Sequence, residues 1–296
     1  MSALTSPALT ASAPAAPEPS TAPDTPPANR PVAAPTLRRA VAVAVSGIWK
    51  SVAIVVFLLL WEVGPLWFAP PSTRVFLPPL HEVLAAAWKL LANGALGTHL
   101  VASLTRSVAG FGVAVVLGIT AGLLIAWYRP VSTFITPLLE VFRNTAALAL
   151  LPVFTLLLGI GEESKITIVA YAAFFPVLLN TVAGVRTVDP LLVRAARSLG
   201  LSHLSLFLKV ILPSAVPTIF TGIRMAGTAS ILVLIAAEMV GAKAGLGYLI
   251  VNAQSSFLIP DMYAGILTVS LLGLAVNTLL VALERRFSRW RVEANA

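Results

Sequence analysis

The residues of this sequence that could do chemistry are ionisable or amide side chains within long apolar stretches. Because a charge is costly to bury, such residues tend to face a cavity, a partner charge or a transport pathway. The candidate pathway residues are Glu140, Arg143, Asn144, Asn180, Arg224 and Glu238. For each one alone, helix packing or an internal pair, as for Glu140 and Arg143 at i and i+3, is at least as good an explanation as solute contact.

Motifs of catalysis are missing from the sequence. It contains no GxxxxGK[ST] phosphate loop, no G-x-S-x-G turn, no HExxH pair and no cysteine, and its three histidines lie far apart. The glycine-rich run at 241–247 lacks the Lys-Ser/Thr that would complete a phosphate loop. Glu140 and Glu238 lie on different apolar stretches, so a paired-carboxylate proton relay is also missing. We therefore expect no catalytic residue, metal site or cofactor in this chain.

One charged segment, residues 189–217, interrupts the apolar second half of the chain. Asp189 before Pro190 is typical of a helix N-cap and first turn, and Gly200 is typical of a helix end. These residues predict a helix of about ten residues. Ser202 is predicted to cap a second short helix, which Pro213 breaks. Two short capped helices between apolar spans suit docking onto a soluble partner.

The composition indicates which elements must hold these residues. Hydrophobic residues make up 58% of the 296 positions and charged residues 11%, whereas soluble domains carry about 25% charged residues. We predict an all-α polytopic membrane protein with six transmembrane helices, since a span needs roughly 20 apolar residues. The predicted spans are residues 51–69, 104–127, 134–160, 166–185, 218–240 and 263–283.

Composition also divides the chain into segments. Residues 1–40 are predicted to be a disordered Ala/Pro-rich cytoplasmic tail. Residues 41–95 hold the first span and an interfacial helix on the outer face, and residues 96–287 form the transmembrane domain. Residues 288–296 are a basic cytoplasmic tail. In the second span, Gly118 and Gly122 predict a closely packed helix face, with a subunit interface as one candidate location.

The basic residues set the expected orientation. Most Lys and Arg residues of the loops fall on the side that both termini share with residues 189–217. This asymmetry is typical of the positive-inside rule, so we expect both termini and residues 189–217 in the cytoplasm. The net charge of +8 thus reflects membrane topology. No nucleic-acid motif accompanies it, and no nucleic-acid partner is expected.

Residues 193–213, VRAARSLGLSHLSLFLKVILP, resemble the EAA loop of permease subunits in prokaryotic ATP-binding cassette (ABC) importers. That signature is Glu-Ala-Ala, three residues, Gly, nine residues and Ile-x-Leu-Pro. Arg194 stands where the family usually has glutamate. Further runs, among them LLGIGEESKI and AAEMVGAKAGLGYLI, are similar to the sulfonate, taurine and nitrate branch. The positions assigned to ATPase coupling are Arg194, Ala195, Ala196, Leu199, Gly200, Val210, Leu212 and Pro213.

The resemblance implies a type I importer permease fold in the bacterial inner membrane, surrounded by lipid. Two copies would form a homodimer, and the EAA loops would dock onto cytoplasmic ATPase subunits that bind ATP and Mg. A periplasmic or lipid-anchored binding protein would deliver a small anionic organic solute, which Arg143 or Arg224 would suit. Because Arg194 replaces an acid, we predict an acidic or neutral docking surface on the ATPase.

Two other classes of function compete with this interpretation. A secondary transporter driven by an ion gradient would be expected to show a carboxylate relay or an inverted repeat, and neither is visible. A membrane scaffold or an enzyme without transport leaves residues 189–217 unexplained. Transport that requires a hydrolysis-competent ATPase supports the importer, whereas ionophore-sensitive transport without one supports the secondary transporter.

Overall fold

The computed structural model describes residues 52–65, 67, 70 and 74–287, so the predicted tails lie outside the described residues. The described residues up to 55 and those from 56 onward belong to separate units, and the contacts below lie within the second. The helices are α1 (Val52–Pro65), α2 (Leu80–Ala92), α3 (Ala95–Trp127), α4 (Arg129–Arg143), α5 (Leu151–Leu158), α6 (Glu162–Arg186), α7 (Pro190–Ser198), α8 (His203–Leu206), α9 (Leu212–Glu238), α10 (Leu246–Ser255) and α11 (Ile259–Phe287).

The long apolar helices confirm an all-α, multi-span protein. Within the described residues, α3, α6, the helix His203–Glu238 and α11 are each long and apolar enough to cross a membrane. The predicted first span corresponds to α1, which is shorter than a full span in its described part. The predicted third span, residues 134–160, corresponds to α4 and the helical segment Ala147–Leu158, which meet at a bend of 86°.

Local hydrogen bonds explain the bend. After α4, the Asn144 side chain donates to the Glu140 carbonyl at 2.7 Å, and the Thr145 hydroxyl donates to the Val141 carbonyl at 3.2 Å. These side chains satisfy carbonyls that a continuing helix would use. Pro152 then lies in the first turn of α5, where its missing N–H is harmless.

Three helices, α3, α6 and α9, pack closely together. Glycines lie at their contacts, and because glycine has no side chain the helix backbones can approach each other closely. A methyl group added at Gly118 would lie 2.9 Å from Val177, and one at Gly122 would lie 2.7 Å from Thr181. A methyl group at Gly222 of α9 would lie 2.5 Å from Cβ of Asn180. The predicted glycine face of α3 is therefore packed, but against α6 of the same chain, which corrects the candidate location at a subunit interface.

Gly118→Ala is expected to destabilise the chain by about 1–3 kcal/mol, because the new methyl group overlaps Val177. Gly112 lies in the same helix and has nothing within 4 Å of an added methyl group. Gly112→Ala should therefore be neutral or stabilising by up to about 1 kcal/mol. Thermal unfolding of both variants in detergent measures the difference, and equal melting temperatures would contradict the packing.

The helix α2 is amphipathic, as the sequence predicts for the outer interfacial helix. Val83, Ala86 and Leu90 are buried in a cluster with residues of α10 and α11, whereas Trp88 is exposed. The Tyr263 hydroxyl of α11 donates to the Phe76 carbonyl at 3.1 Å, just before α2. These contacts fix one face of α2 on the bundle and leave exposed a mixed face, with Glu82 and Lys89 beside Leu84 and Trp88, which suits a membrane interface.

Candidate functional site

The helix α7 has the caps that its sequence predicts. Asp189 Oδ1 accepts a hydrogen bond from the Leu191 N–H at 2.8 Å, and Pro190 occupies the first turn. The helix ends at Ser198, and Gly200 has a left-handed φ of 75°. A nine-residue helix with this start and stop confirms the predicted first element of residues 189–217.

The second predicted helix differs from expectation at its end. Ser202 caps α8, accepting from the Ser205 N–H at 3.3 Å. The chain then continues through a π-helical turn, Phe207–Ile211, into α9, so that His203–Glu238 is one helix of 36 residues. The prediction that Pro213 breaks the helix is wrong. Proline lacks an N–H and crowds the preceding turn, and the wider π turn just before it accommodates both effects.

The EAA-like positions divide into an exposed set and a packed set. Leu199 is 80% exposed, and α7 presents a basic and apolar surface. The exposed positions are Arg194, Ala195, Leu199 and Gly200. The buried or half-buried positions are Ala196, Val210, Leu212 and Pro213. The Leu201 N–H donates to the Ala196 carbonyl at 3.3 Å. One set is therefore available to a partner, while the other packs within the chain.

The bend between α4 and α5 carries three of the predicted pathway residues. Glu140, Arg143 and Asn144 are all exposed in the single chain. In the described part of the chain no ion pair joins Glu140 to Arg143, so the expected i, i+3 pair is not formed. The Tyr171 hydroxyl of α6 donates to the Phe142 carbonyl at 2.7 Å, which holds the end of α4 against α6.

Two other candidates make internal contacts. Arg224 Nη1 donates to Glu284 Oε2 of α11 at 3.0 Å, an ion pair between helices. The Asn180 amide donates to the Pro176 carbonyl of its own helix at 2.8 Å. Helix pairing and backbone bonding therefore account for these side chains without a solute.

Glu238 lies in a buried polar network. It is 1% exposed, and its carboxylate accepts hydrogen bonds from Ser103 Oγ at 2.8 and 2.9 Å. Arg106 Nη1 donates to Glu238 Oε1 at 2.7 Å, and the Gly247 N–H donates to Oε2 at 3.0 Å. With three donor groups on one carboxylate, the geometry favours internal pairing over solute contact for Glu238.

Arg106 connects this network to α6 and to the loop before α10. Its Nη2 donates to Glu162 Oε1 at 2.6 Å, and its Nε donates to Glu162 Oε2. Arg106 Nη1 also donates to the Ala244 carbonyl at 2.7 Å. The 3%-exposed Lys165 donates to the Gly161 carbonyl at 3.0 Å close by. The ends of three spans are thereby bound together.

The glycine-rich run at 241–247 wraps this internal carboxylate. A methyl group added at Gly245, where φ is 125°, would lie 2.4 Å from the Glu238 carboxylate. The Leu246 N–H donates to Ser103 Oγ at 2.8 Å. The run does not form a phosphate loop; one of its backbone N–H groups, that of Gly247, donates to the carboxylate directly.

Ser103, Arg106 and Glu162 are members of this network that were not predicted from the sequence. An available signal was the spacing of Ser103 and Arg106, which places two polar residues on one face of an apolar helix. Nothing local indicates their partner, because Glu238 lies 132 positions beyond Arg106.

This architecture defines a polytopic helical protein with two short, partly exposed helices between long apolar helices and an interrupted span. Comparison with known proteins gives its family. Residues 114–289 match the family of the binding-protein-dependent transport system inner membrane component. The chain belongs to that family.

Named relatives lie in one branch of the family. The chain is 39% identical over 219 residues to a protein of Escherichia coli (strain K12) described as an aliphatic sulfonates transport permease, SsuC, covering 74% of this chain and 83% of SsuC. It is 35% identical over 238 residues to the taurine transport permease TauC of the same organism, covering 79% and 86%. The nitrate import permease NrtB of Synechocystis is 32% identical over 243 residues, covering 79% and 86%. The predicted sulfonate, taurine and nitrate branch is confirmed.

A solved structure shows the same fold. An inward-facing form of the methionine ABC transporter MetNI matches with a TM-score of 0.54 at 17% identity, covering 68% of this chain and 97% of that chain. The likeness is one of fold, that of the type I ABC importer permeases.

Family membership establishes the type of subunit. The chain is a multi-pass inner-membrane permease subunit of an ABC importer, and ATP hydrolysis belongs to a separate ATPase subunit. Importers of this family also work with a solute-binding protein. The expected permease function is thus confirmed.

Proposed function

We propose that two copies of this chain, with all termini in the cytoplasm, form the membrane pathway for a small organic sulfonate such as taurine or a related anion such as nitrate. The names of SsuC, TauC and NrtB support this class of solute. The excess of basic residues on the side of α7 supports the orientation. A thermal-shift screen of the cognate binding protein against sulfonates and nitrate selects among the solutes.

The bend between α4 and α5 is the observation that best supports the location of the transport pathway. At membrane depth, interrupted backbone and ionisable side chains are tolerated where they face protein or a water-filled cavity. The bend is exposed in one chain, so a second copy or an aqueous path must cover it. Arg224 is paired with Glu284, whereas Arg143 has no ion pair in the described part of the chain. The lack of an ion partner supports Arg143, rather than Arg224, as the arginine proposed to meet the anion.

Residues 189–217, the proposed coupling segment, support transport that is driven by ATP hydrolysis in the partner subunit. We assign the contacts with the ATPase to the exposed positions Arg194, Ala195, Leu199 and Gly200. The packed positions Ala196, Val210, Leu212 and Pro213 join α7 to the helix that follows. Because His203–Glu238 is continuous over 36 residues, or about 54 Å, a displacement near α7 is transmitted across the membrane.

Arg143→Ala is expected to reduce ATP-driven taurine uptake about tenfold, because a charge-assisted hydrogen bond to the anion is lost. Uptake is measured in proteoliposomes that contain the permease, its ATPase subunits and the binding protein. Arg285→Ala, which removes an exposed arginine at the end of α11, should keep the wild-type rate. A complex with a hydrolysis-dead ATPase gives the baseline.

Two results would count against this proposal. Undiminished uptake by normally assembled Arg143→Ala permease would remove Arg143 from the pathway. Uptake that persists with the hydrolysis-dead ATPase and disappears with an ionophore would instead establish a secondary transporter.

A further inference from the structure

A polar cavity of about 550 Å³ opens where the C-terminal ends of α3 and α6 meet the start of α4. It is lined by Ile125, Ala126, Ser132, Thr133 and Arg186. None of these residues is acidic, and the polar ones carry hydroxyl or guanidinium groups. The lining therefore offers hydrogen-bond donors together with one positive charge, which favours an anion.

The guanidinium of Arg186 is held at this cavity by a hydrogen bond. Arg186 Nη2 donates to Ser132 Oγ at 2.5 Å. In the part of the chain that the structure describes, Arg186 has no carboxylate within ion-pairing distance. A guanidinium has five N–H donors in a planar fork that matches a phosphate group. Most of this donor capacity remains available to a ligand.

The start of α4 brings a helix N-terminus to the cavity, where it offsets the partial negative charge of the C-terminal ends of α3 and α6. Tyr128 at the N-cap position makes no side-chain cap hydrogen bond, and Pro130 lies in the first turn of this 15-residue helix. The N-terminal end of a helix carries partial positive charge, although the Ser132 N–H is itself bonded to the Tyr128 carbonyl at 3.0 Å. Ser132 and Thr133 bring that end to the cavity wall.

The cavity lies at the end of the helices from which the chain leads into α7. Arg186 is the last residue of α6, and α7 begins at Pro190, so the cavity is on the side of the coupling segment. In the proposed topology this side is cytoplasmic, where basic pockets between helices meet the headgroups of anionic lipids. We propose that the cavity binds an anionic phosphate group, from a phospholipid such as phosphatidylglycerol or from free phosphate, through Arg186 and the Ser132 hydroxyl.

Native mass spectrometry of the full-length permease, purified with its ATPase subunits, tests the site. Phosphatidylglycerol, phosphatidylcholine and inorganic phosphate are titrated separately. The affinity for phosphatidylglycerol is expected to exceed that for phosphatidylcholine and to fall about tenfold in Arg186→Gln. Ser132→Ala keeps the charge and should lose only a few-fold. Arg285→Gln removes an exposed arginine that does not line the cavity, and it should bind like the wild type.

Competition identifies the source of the phosphate. Displacement of phosphatidylglycerol by excess inorganic phosphate supports the site with a soluble ligand, and retention of the lipid supports a headgroup site. Equal binding of phosphatidylglycerol by wild type and Arg186→Gln would overturn the proposal, as would equal affinity for the two lipids. The cytoplasmic location rests on the proposed function, but binding is measured without transport, so failure of one does not imply failure of the other.

Discussion

Arg106→Met is expected to destabilise the permease by about 3–5 kcal/mol, because it leaves the buried Glu238 carboxylate without its positive partner. The substitution also removes the hydrogen bonds of the guanidinium to Glu162 and to the Ala244 carbonyl, which connect α3 to α6 and to the loop before α10. The expected result is a large loss of folded protein in the membrane and a much lower melting temperature. Fluorescence-detected size exclusion after heating measures both.

Two further variants separate charge burial from simple loss of contacts. Arg106→Met combined with Glu238→Leu removes both buried charges, so its destabilisation should be less than the sum of the two single effects by about 1–3 kcal/mol. Glu162 has a side chain 63% exposed, and Glu162→Gln should cost no more than about 1 kcal/mol. A wild-type melting temperature for Arg106→Met would contradict a stabilising role of the network.

Arg194→Glu is expected to weaken assembly with the ATPase on the order of tenfold or more. Arg194 is exposed on α7, and its one hydrogen bond within the described chain runs from Nε to the Pro190 carbonyl of the same helix at 3.4 Å. The substitution should therefore leave the permease fold intact. An acidic docking surface would meet a like charge, and such contacts cost up to several kcal/mol at an interface.

The parts that the sequence predicted well are those with local causes. The caps of α7 depend on Asp189, Pro190 and Gly200, which act on their own neighbours. The spans depend on apolar length alone. Close packing at Gly118 and Gly122 also followed from residue size, although the partner helix did not.

The features that the sequence predicted poorly depend on contacts between residues far apart in the chain or on the conformation of neighbouring turns. Proline usually ends a helix, and only the π turn before Pro213 lets the helix continue. The network of Ser103, Arg106 and Glu238 joins residues more than 130 positions apart, so no spacing rule indicates it.

Coupling through α7 is tested most directly by co-purifying the cognate ATPase with wild-type, Arg194→Glu and Arg285→Glu permeases. The yield of complex and the ATP hydrolysis stimulated by the binding protein are measured on the same preparations. Wild type and Arg285→Glu are predicted to retain the ATPase, whereas Arg194→Glu is predicted to lose most of both signals. Equal yield and equal stimulated hydrolysis for Arg194→Glu would contradict docking of the ATPase on the exposed face of α7.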